Sequence, residues 1–448
     1  MSWLIRIKKK DTVKTTDPIS ELTDFAREHS PYYKSSLSSI PEPISSLCEL
    51  PLIDPADFWK DSADLAQWPV LTAPLAHALV FKTGGSTGGG RLSVYARTEW
   101  QRTVEAFGRS LSEQFSSGDR VANLFFAGDL YASFLFIHDS LAHVETAITE
   151  FPFTGEIDPP MLADAIVQHR INVLAGVPAQ LLTFASWLDQ RGLALPLVDT
   201  VLYGGESLFA SQRQLLEQVL PNARIASIGY ASVDGGFIGA SHRDCIEGEH
   251  RTPDGHVLLE IVDQHSGATI EACDQTGLLV LTNLHRRLMP LIRYPVGDLA
   301  CWREPSGTAQ RKFALRGRSG SSQRVRVGIL SLMTDEISES VRSISGSNDW
   351  QLLIEHDDGR DLMTVKYVVN EGSTRIEDRL EARLIELYPQ IPQLRGAGLL
   401  QLRIQSCRFE DLARHPRAGK SLRIVDLRCY GPDEGEVRDG YVDPAQLP

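Results

Sequence analysis

Between residues 120 and 228 short apolar runs alternate with helical patterns, and that alternation leaves the chain few architectures. Arg120 to Phe126, Asn172 to Val177, Thr200 to Tyr203 and Arg224 to Ile228 read as buried strands. Pro159 to His169, Pro178 to Arg191 and Ser211 to Leu220 carry helical periodicity between them. Strands separated by helices build βαβ units, so an α/β fold with a mainly parallel sheet is expected, its ligands at the carboxyl ends of the strands. A helix from Thr98 to Phe115 precedes this region, with Thr98 as the expected N-cap and Glu99 in its first turn. Val257 to Val262 and Gly277 to Thr282 read instead as antiparallel strands joined by a turn around Gly267, a β-rich addition. The first 70 residues give a polar leader, a short helix from Ile19 to Glu28, and connections punctuated by Pro41, Pro43 and Pro51.

Near Arg316-Gly317-Arg318-Ser319-Gly320-Ser321-Ser322 the composition shifts to Gly, Ser and Arg, which marks a boundary. A large N-terminal domain over 1–316, a hinge over 317–322 and a small α+β domain over 323–448 are expected. The small domain reads as a helix at Thr334 to Ser343, strands at Trp350 to Glu355 and Leu362 to Val369, a helix at Thr374 to Tyr388, and a last strand at Leu399 to Ser406. A chain of 448 residues exceeds what one core supports, which agrees with this division.

A formal net charge of −13 argues against general binding to nucleic acid or an anionic membrane, because both are held by excess Lys and Arg. The six cysteines are scattered without a CxxC pair, as reduced thiols in a cytosol would be. The first ten residues lack a signal-peptide apolar core, and Asp129, His138, Asp139 and His143 interrupt the most apolar stretch. A soluble, cytoplasmic protein is expected, as a monomer or a homodimer. His242, Cys245, His250 and His256 cluster in sequence, but their spacing fits no standard zinc site.

The stretch Val80-Phe81-Lys82-Thr83-Gly84-Gly85-Ser86-Thr87-Gly88-Gly89-Gly90-Arg91 carries the first chemical signal. Glycines let backbone N–H groups turn toward an anion, and hydroxyls add donors, so phosphate suits this loop. A bare Gly/Ser tract equally describes a flexible surface loop. It is no Walker A loop, since that motif ends in Gly-Lys-Ser/Thr and the one lysine here precedes the glycines.

Three further segments narrow the choice: Gly229-Tyr230-Ala231-Ser232-Val233-Asp234, Met289-Pro290-Leu291-Ile292-Arg293-Tyr294-Pro295-Val296-Gly297-Asp298, and Pro416-Arg417-Ala418-Gly419-Lys420-Ser421-Leu422-Arg423. With His29-Ser30-Pro31-Tyr32-Tyr33, Leu50-Pro51-Leu52-Ile53, Gly204-Gly205-Glu206 and Arg423 to Arg428, they run in the order of the adenylate-forming superfamily. Over nearly its whole length the chain resembles the phenylacetate-CoA ligase branch of that superfamily. The Pro-Leu-Ile-Arg-Tyr-x-x-Gly-Asp string is the most specific element.

The resemblance implies attack of a carboxylate on the α-phosphorus of ATP, giving an acyl-adenylate and pyrophosphate, then transfer to CoA. The acid is already ionised at neutral pH, so no base is needed; the obstacle is bringing an anion to a polyanion. Lys420 matches the lysine that bridges carboxylate and α-phosphate from a mobile C-terminal domain. Thr83, Gly84, Gly85, Ser86, Thr87 and Gly88 would hold the outer phosphates. Asp298 would accept from both ribose hydroxyls, Gly205 and Glu206 would line the adenine side with Tyr230 on the base, and Arg318 would complete the nucleotide site. Asp234 would take Mg²⁺, and Phe126, Gly128, Tyr131, Ala175 and Gly204, with Phe125 and Phe134, would frame an acyl pocket suited to an aryl or arylacetic acid. An aromatic stripe of that kind is also what plain core looks like.

Two departures stand out. Where relatives carry Gly-x-Thr-Glu this chain has Ala231-Ser232-Val233-Asp234, which keeps a carboxylate for a hard ion but loses a hydroxyl. The hinge lacks the usual pivot Asp, with Gly320 as the alternative source of flexibility. Transfer to an amine or a carrier-protein thiol therefore competes with CoA, and a nucleotide-binding regulatory protein without catalysis is the reading from another class. A serine hydrolase is disfavoured, since no Gly-x-Ser-x-Gly elbow surrounds Ser207 and the string Gly84-Gly85-Ser86-Thr87-Gly88 falls within the glycine tract, and a dinucleotide oxidoreductase has no G-x-G-x-x-G.

Overall fold

Five strands form a wholly parallel sheet in the order Thr149–Phe151, Arg120–Leu124, Val173–Gly176, Thr200–Tyr203, Arg224–Ser227. In this computed structural model the described residues are 18–42, 44, 46–82, 91–128, 130–205, 208, 210–264, 266–318, 324–327, 330–357, 360–368, 375–396, 398, 400–414 and 421–427. Helices Pro159–His169, Pro178–Asp189 and Ala210–Val219 follow the strands and bury Leu162, Ile166, Leu181 and Leu216 against Leu174 and Val201. The opposite sheet face packs Val173, Ala175 and Leu202 with Phe107, Phe125, Ile137 and Phe237. Covered on both faces, these strands have no solvent side, which is why they read as unbroken apolar runs.

The helix expected from Thr98 to Phe115 runs from Arg97 to Ser110 and is followed by a short turn of 3-10 helix at Ser112–Gln114. Thr98 is not its cap. Ala96 holds that position without a side-chain acceptor, and Glu99 reaches back to accept from the Ala96 N–H at 3.0 Å. The other Glu99 oxygen accepts from the N–H groups of Arg287 and Leu288 at 2.7 and 2.8 Å, so a tertiary demand fixes where the helix begins. Phe125 and Phe126 also lie beyond the strand, which ends at Leu124.

An antiparallel five-stranded sheet has the order Glu249–Arg251, Lys312–Arg318, Tyr294–Trp302, Gly277–Asn283, Val257–Val262. Val257 pairs with Asn283 and Val262 with Leu278, and Gly267 in the connection has φ 69°, where a side chain would be strained. The N-terminal segments close over this sheet. Trp59, Phe58, Trp68 and Tyr33 share a core cluster with Leu279, Leu291 and Tyr294. The glycine tract joins two strands that the sequence did not reveal as a hairpin, Ala78–Lys82 and Leu92–Ala96, with Lys82 opposite Leu92.

The C-terminal unit has its own core of Trp350, Leu352, Met363, Val365, Leu380 and Leu402 around a four-stranded sheet. Its order is Leu400–Cys407, Arg360–Val368, Trp350–Asp357, Ile424–Asp426. The strand at Leu400–Cys407 is thus not the last, since Ile424–Asp426 adds to the sheet parallel to Trp350–Asp357. Three residues in an Arg-rich segment are too short to show periodicity.

Candidate nucleotide and acid site

Tyr230 and Asp234 on one segment meet Tyr294 and Asp298 on another in a crossed arrangement. The Tyr230 hydroxyl donates to Asp298 Oδ2, and the Tyr294 hydroxyl donates to Asp234 Oδ2 at 2.9 Å. Each segment therefore lends a tyrosine to the other's carboxylate, which cross-links the two segments and orients both carboxylates. Burial raises the Tyr294 pKa well above its ordinary value, and the neighbouring Asp234 charge raises it further, so the hydroxyl remains a donor.

Around Asp234 the supports are buried and charged. Arg286, fully buried, donates to the main-chain oxygens of Asp234 and Val94 and sits 3.7 Å from the centroid of the Tyr95 ring. The Tyr95 hydroxyl donates to the Val233 carbonyl at 2.9 Å, and burial pushes its pKa up to about 12. The departure from the family pattern at 233–234 is thus held by its backbone. Val233 needs no hydroxyl for that purpose.

The glycine tract is anchored to the same place. Its last flanking residue, Arg91, lies over the Trp59 ring at 5.4 Å, and Trp59 Nε1 donates to the Tyr294 hydroxyl at 3.0 Å. At the other flank the Lys82 N–H donates to Leu130 O at 2.9 Å, which ties the tract to the turn where Gly128, at φ 103°, bridges Tyr131. One flank of the tract is thus linked through Trp59 and Tyr294 to Asp234, and the other pairs beside it, Lys82 opposite Leu92. Gly297, at φ 86°, lets the strand turn just before Asp298, which lies opposite Arg318 in the sheet register.

Tyr230 is also supported from behind. Gly229 has φ 137°, and a Cβ there would come within 2.7 Å of Phe107. Ser227 Oγ accepts from the Gly229 N–H at 3.1 Å and contacts His250 Nε2 at 3.3 Å, while the His250 ring packs on Tyr230 with centroids 5.6 Å apart. His256 packs on Phe237 and His285, and His242 faces Glu113. Burial lowers the pKa of both His250 and His256 to about 4. Both stay neutral in the fold yet titrate near 6.5 when unfolded, so protons bind the unfolded chain first. Stability is therefore full above about pH 6.5 and falls as pH drops toward 4. Thermal melts from pH 8 to pH 4.5 are expected to show this loss, and replacing His250 by Phe is expected to flatten it.

Of the residues expected to frame the acyl pocket, Phe126, Tyr131 and Ala175 belong to the buried cluster on the sheet face opposite the helices. Gly204 is buried at the end of its strand, where a Cβ would come within 2.7 Å of Ile228 Cγ2. Gly205 is exposed beside it at φ 85°. Thr83, Gly84, Gly85, Ser86, Thr87, Gly88, Glu206 and Lys420 lie outside the described residues. Sequence reasoning missed Trp59, Tyr95 and Arg286, and reached Arg91 only as the end of the glycine stretch. Arg286 left a signal as a charge next to an apolar string.

Replacing Tyr294 by Phe removes the hydroxyl that Asp234 and Trp59 share. A lost hydrogen bond to a charged group costs about 1.5 kcal/mol. Chemical denaturation of Tyr294→Phe is expected to show a loss of stability of about that size. An unchanged denaturation midpoint would contradict the shared hydrogen bonds.

No family model matches the chain. A search of curated proteins finds phenylacetate-coenzyme A ligase of Aromatoleum evansii, 23% identical over 424 residues that cover 90% of this chain and 91% of that protein. The enzyme of the same name from Thermus thermophilus is 25% identical over 63% of each chain, and indoleacetate–lysine synthetase of Pseudomonas savastanoi is 26% identical over 31% of each. Among solved structures, 2-hydroxyisobutyryl-CoA ligase with 2-HIB-AMP in the postadenylation state aligns with TM-score 0.64 at 17% identity, over 91% of this chain and 88% of that one. ATP-bound MatB from Rhodopseudomonas palustris aligns with TM-score 0.51 at 15% identity, over 78% of this chain and 67% of that one. Fold and relatives together place the chain in the adenylate-forming superfamily. Within it, the chain is similar to phenylacetate-CoA ligases over more than half of its length.

Proposed function

We propose that this protein activates a small carboxylic acid with ATP, forming an acyl-adenylate and pyrophosphate, and passes the acyl group to CoA. The observation that carries the reading is the pair of crossed Tyr–Asp contacts, one of them linked through Trp59 to Arg91 at the end of the glycine tract. Asp298 would hold the ribose hydroxyls; a carboxylate offers about four acceptor sites, so the Tyr230 bond and a ribose are compatible. Asp234, a hard oxygen donor near the phosphate loop, fits Mg²⁺, which takes one or two carboxylates plus nucleotide phosphates. That ion would supply charge neutralisation on the phosphate oxygens. Thr83 to Gly88 would surround the outer phosphates with N–H and hydroxyl donors. Lys420, carried by a small domain hinged near 317–322, would neutralise the approach of carboxylate to α-phosphorus.

The acid we assign is aryl or arylacetic. Phe126 and Tyr131 share one buried cluster with Ala175, and aromatic rings pack preferentially on a planar group. Among the described residues no helix is long and apolar enough to cross a membrane, and a cytoplasmic location suits free ATP and CoA.

Incubation with ATP, Mg²⁺, CoA and a panel of benzoic, phenylacetic and aliphatic acids is expected to yield an aryl- or arylacetyl-CoA detectable by mass spectrometry. Adenylate without thioester would move the acceptor to an amine or a carrier-protein thiol. Asp298→Asn is expected to raise the KM for ATP about tenfold to a hundredfold, the worth of a charged hydrogen bond, with the KM for the acid unchanged. Equal effects on both substrates would contradict the ribose assignment.

A further inference from the structure

The described residues on either side of the segment 415–420, which carries Lys420, are paired and held from two directions. Arg414 and Ser421 form an antiparallel bridge, and the Leu422 N–H donates to Ala413 O at 3.0 Å. On the small-domain side Gln351, buried, donates through Nε2 to Ala413 O at 3.0 Å and Leu422 O at 2.7 Å, and accepts from the Ala413 N–H at 3.2 Å. On the large-domain side Arg414 Nη1 donates to Thr183 Oγ1 at 2.7 Å.

Thr183 and Ser186 are three apart on helix Pro178–Asp189, so they share a face. Ser186 Oγ donates to Glu410 Oε1 at 2.7 Å, and Phe409, under the Arg414 guanidinium at 5.2 Å, packs against the large domain's helix-side core. A second anchor joins Gln212 Nε2 to Asp349 Oδ1 at 2.5 Å.

We propose that Arg414, seated on Thr183, is the positioning residue for Lys420: it registers the lysine loop against the large domain that binds ATP. The inference rests on the catalytic role proposed for Lys420. Lys420 immediately precedes Ser421 in sequence, so the bridge at Arg414 and Ser421 fixes where the loop leaves and returns. Because Arg414 acts through another residue, its loss alters how often the amine is in place and leaves the substrate-binding groups intact.

The test is a double-mutant cycle on acid-dependent ATP–pyrophosphate exchange with the full chain. Thr183→Val keeps shape and removes the acceptor. It and Arg414→Ala are each expected to lower kcat about tenfold with the KM for ATP and acid unchanged, the double variant to lose no more than the worse single one, and Thr183→Ser to restore the rate. Additive losses, a rise in KM, or full activity in Thr183→Val would overturn the proposal. Lys420→Ala run alongside separates the two ideas. If it is inactive while Thr183→Val is fully active, only the positioning role fails; if it is fully active, the catalytic role fails first.

Discussion

Replacing Lys420 by Ala is expected to lower kcat for acyl-adenylate formation by about a hundredfold to a thousandfold, with much smaller changes in the KM for ATP and acid. The magnitude is that of losing one preorganised electrostatic group at a site of developing charge. Acid and nucleotide are both anions at neutral pH, so the barrier is dominated by their mutual repulsion and by charge building on the phosphate oxygens. A group that acts mainly in the transition state lowers kcat and kcat/KM together, whereas one that only binds ATP raises KM. The measurement is pyrophosphate release under saturating ATP, with the melting temperature as a control for folding. Loss confined to the KM for ATP would make Lys420 an ordinary phosphate contact.

The second large effect concerns stability. Arg293→Ala is expected to destabilise the large domain by about 3–5 kcal/mol, because removing one partner of a buried ion pair strands the other. Arg293 and Glu260 are both buried, and Nε and Nη2 of the arginine reach the two carboxylate oxygens at 2.9 and 3.1 Å. Its Nη1 also donates to Leu50 O at 2.6 Å, and the Ile53 N–H donates to Arg293 O at 3.1 Å, so one residue joins the antiparallel sheet to the N-terminal segments. Arg293 holds φ 50°, a left-handed conformation that a side chain adopts only at a cost the surrounding contacts offset. Chemical denaturation should show a large fall in midpoint for Arg293→Ala and for Glu260→Ala. Replacing both by apolar residues should cost less than either alone. An effect below about 1 kcal/mol, the level of exposed pairs, would contradict this account.

That result bears on how the most specific sequence string is read. Pro290 to Asp298 is the most specific mark of the resemblance and offers only Asp298 a nucleotide role; within it Arg293 faces Glu260 and Leu50, Tyr294 faces Asp234 and Trp59, and Asp298 faces Tyr230. Arg293 serves as scaffold, and Asp298 is left to the proposed site. Sequence cannot show these pairings, because the partners lie 33 to 243 residues away.

The parallel sheet was legible because strands buried on both faces must be apolar throughout, and the helices between them carry a period of their own. Thr200–Tyr203, Pro159–His169 and Val257–Val262 lie where their patterns put them. The cap at Ala96 was not legible, since its Glu99 partner answers to Arg287 and Leu288, nearly two hundred residues on. Arg286 against Tyr95 and Val94 escaped for the same reason. Local propensity places elements; the contacts that aim side chains into a site are set by tertiary packing.

The most direct test of the central claim is ATP–pyrophosphate exchange in the presence of Mg²⁺, with and without a panel of aryl and arylacetic acids. Label should return to ATP only when a suitable acid is present, and the exchange should disappear in Lys420→Ala. Exchange that needs no acid, or acid-dependent turnover of ATP that releases ADP and phosphate in place of AMP and pyrophosphate, would contradict it.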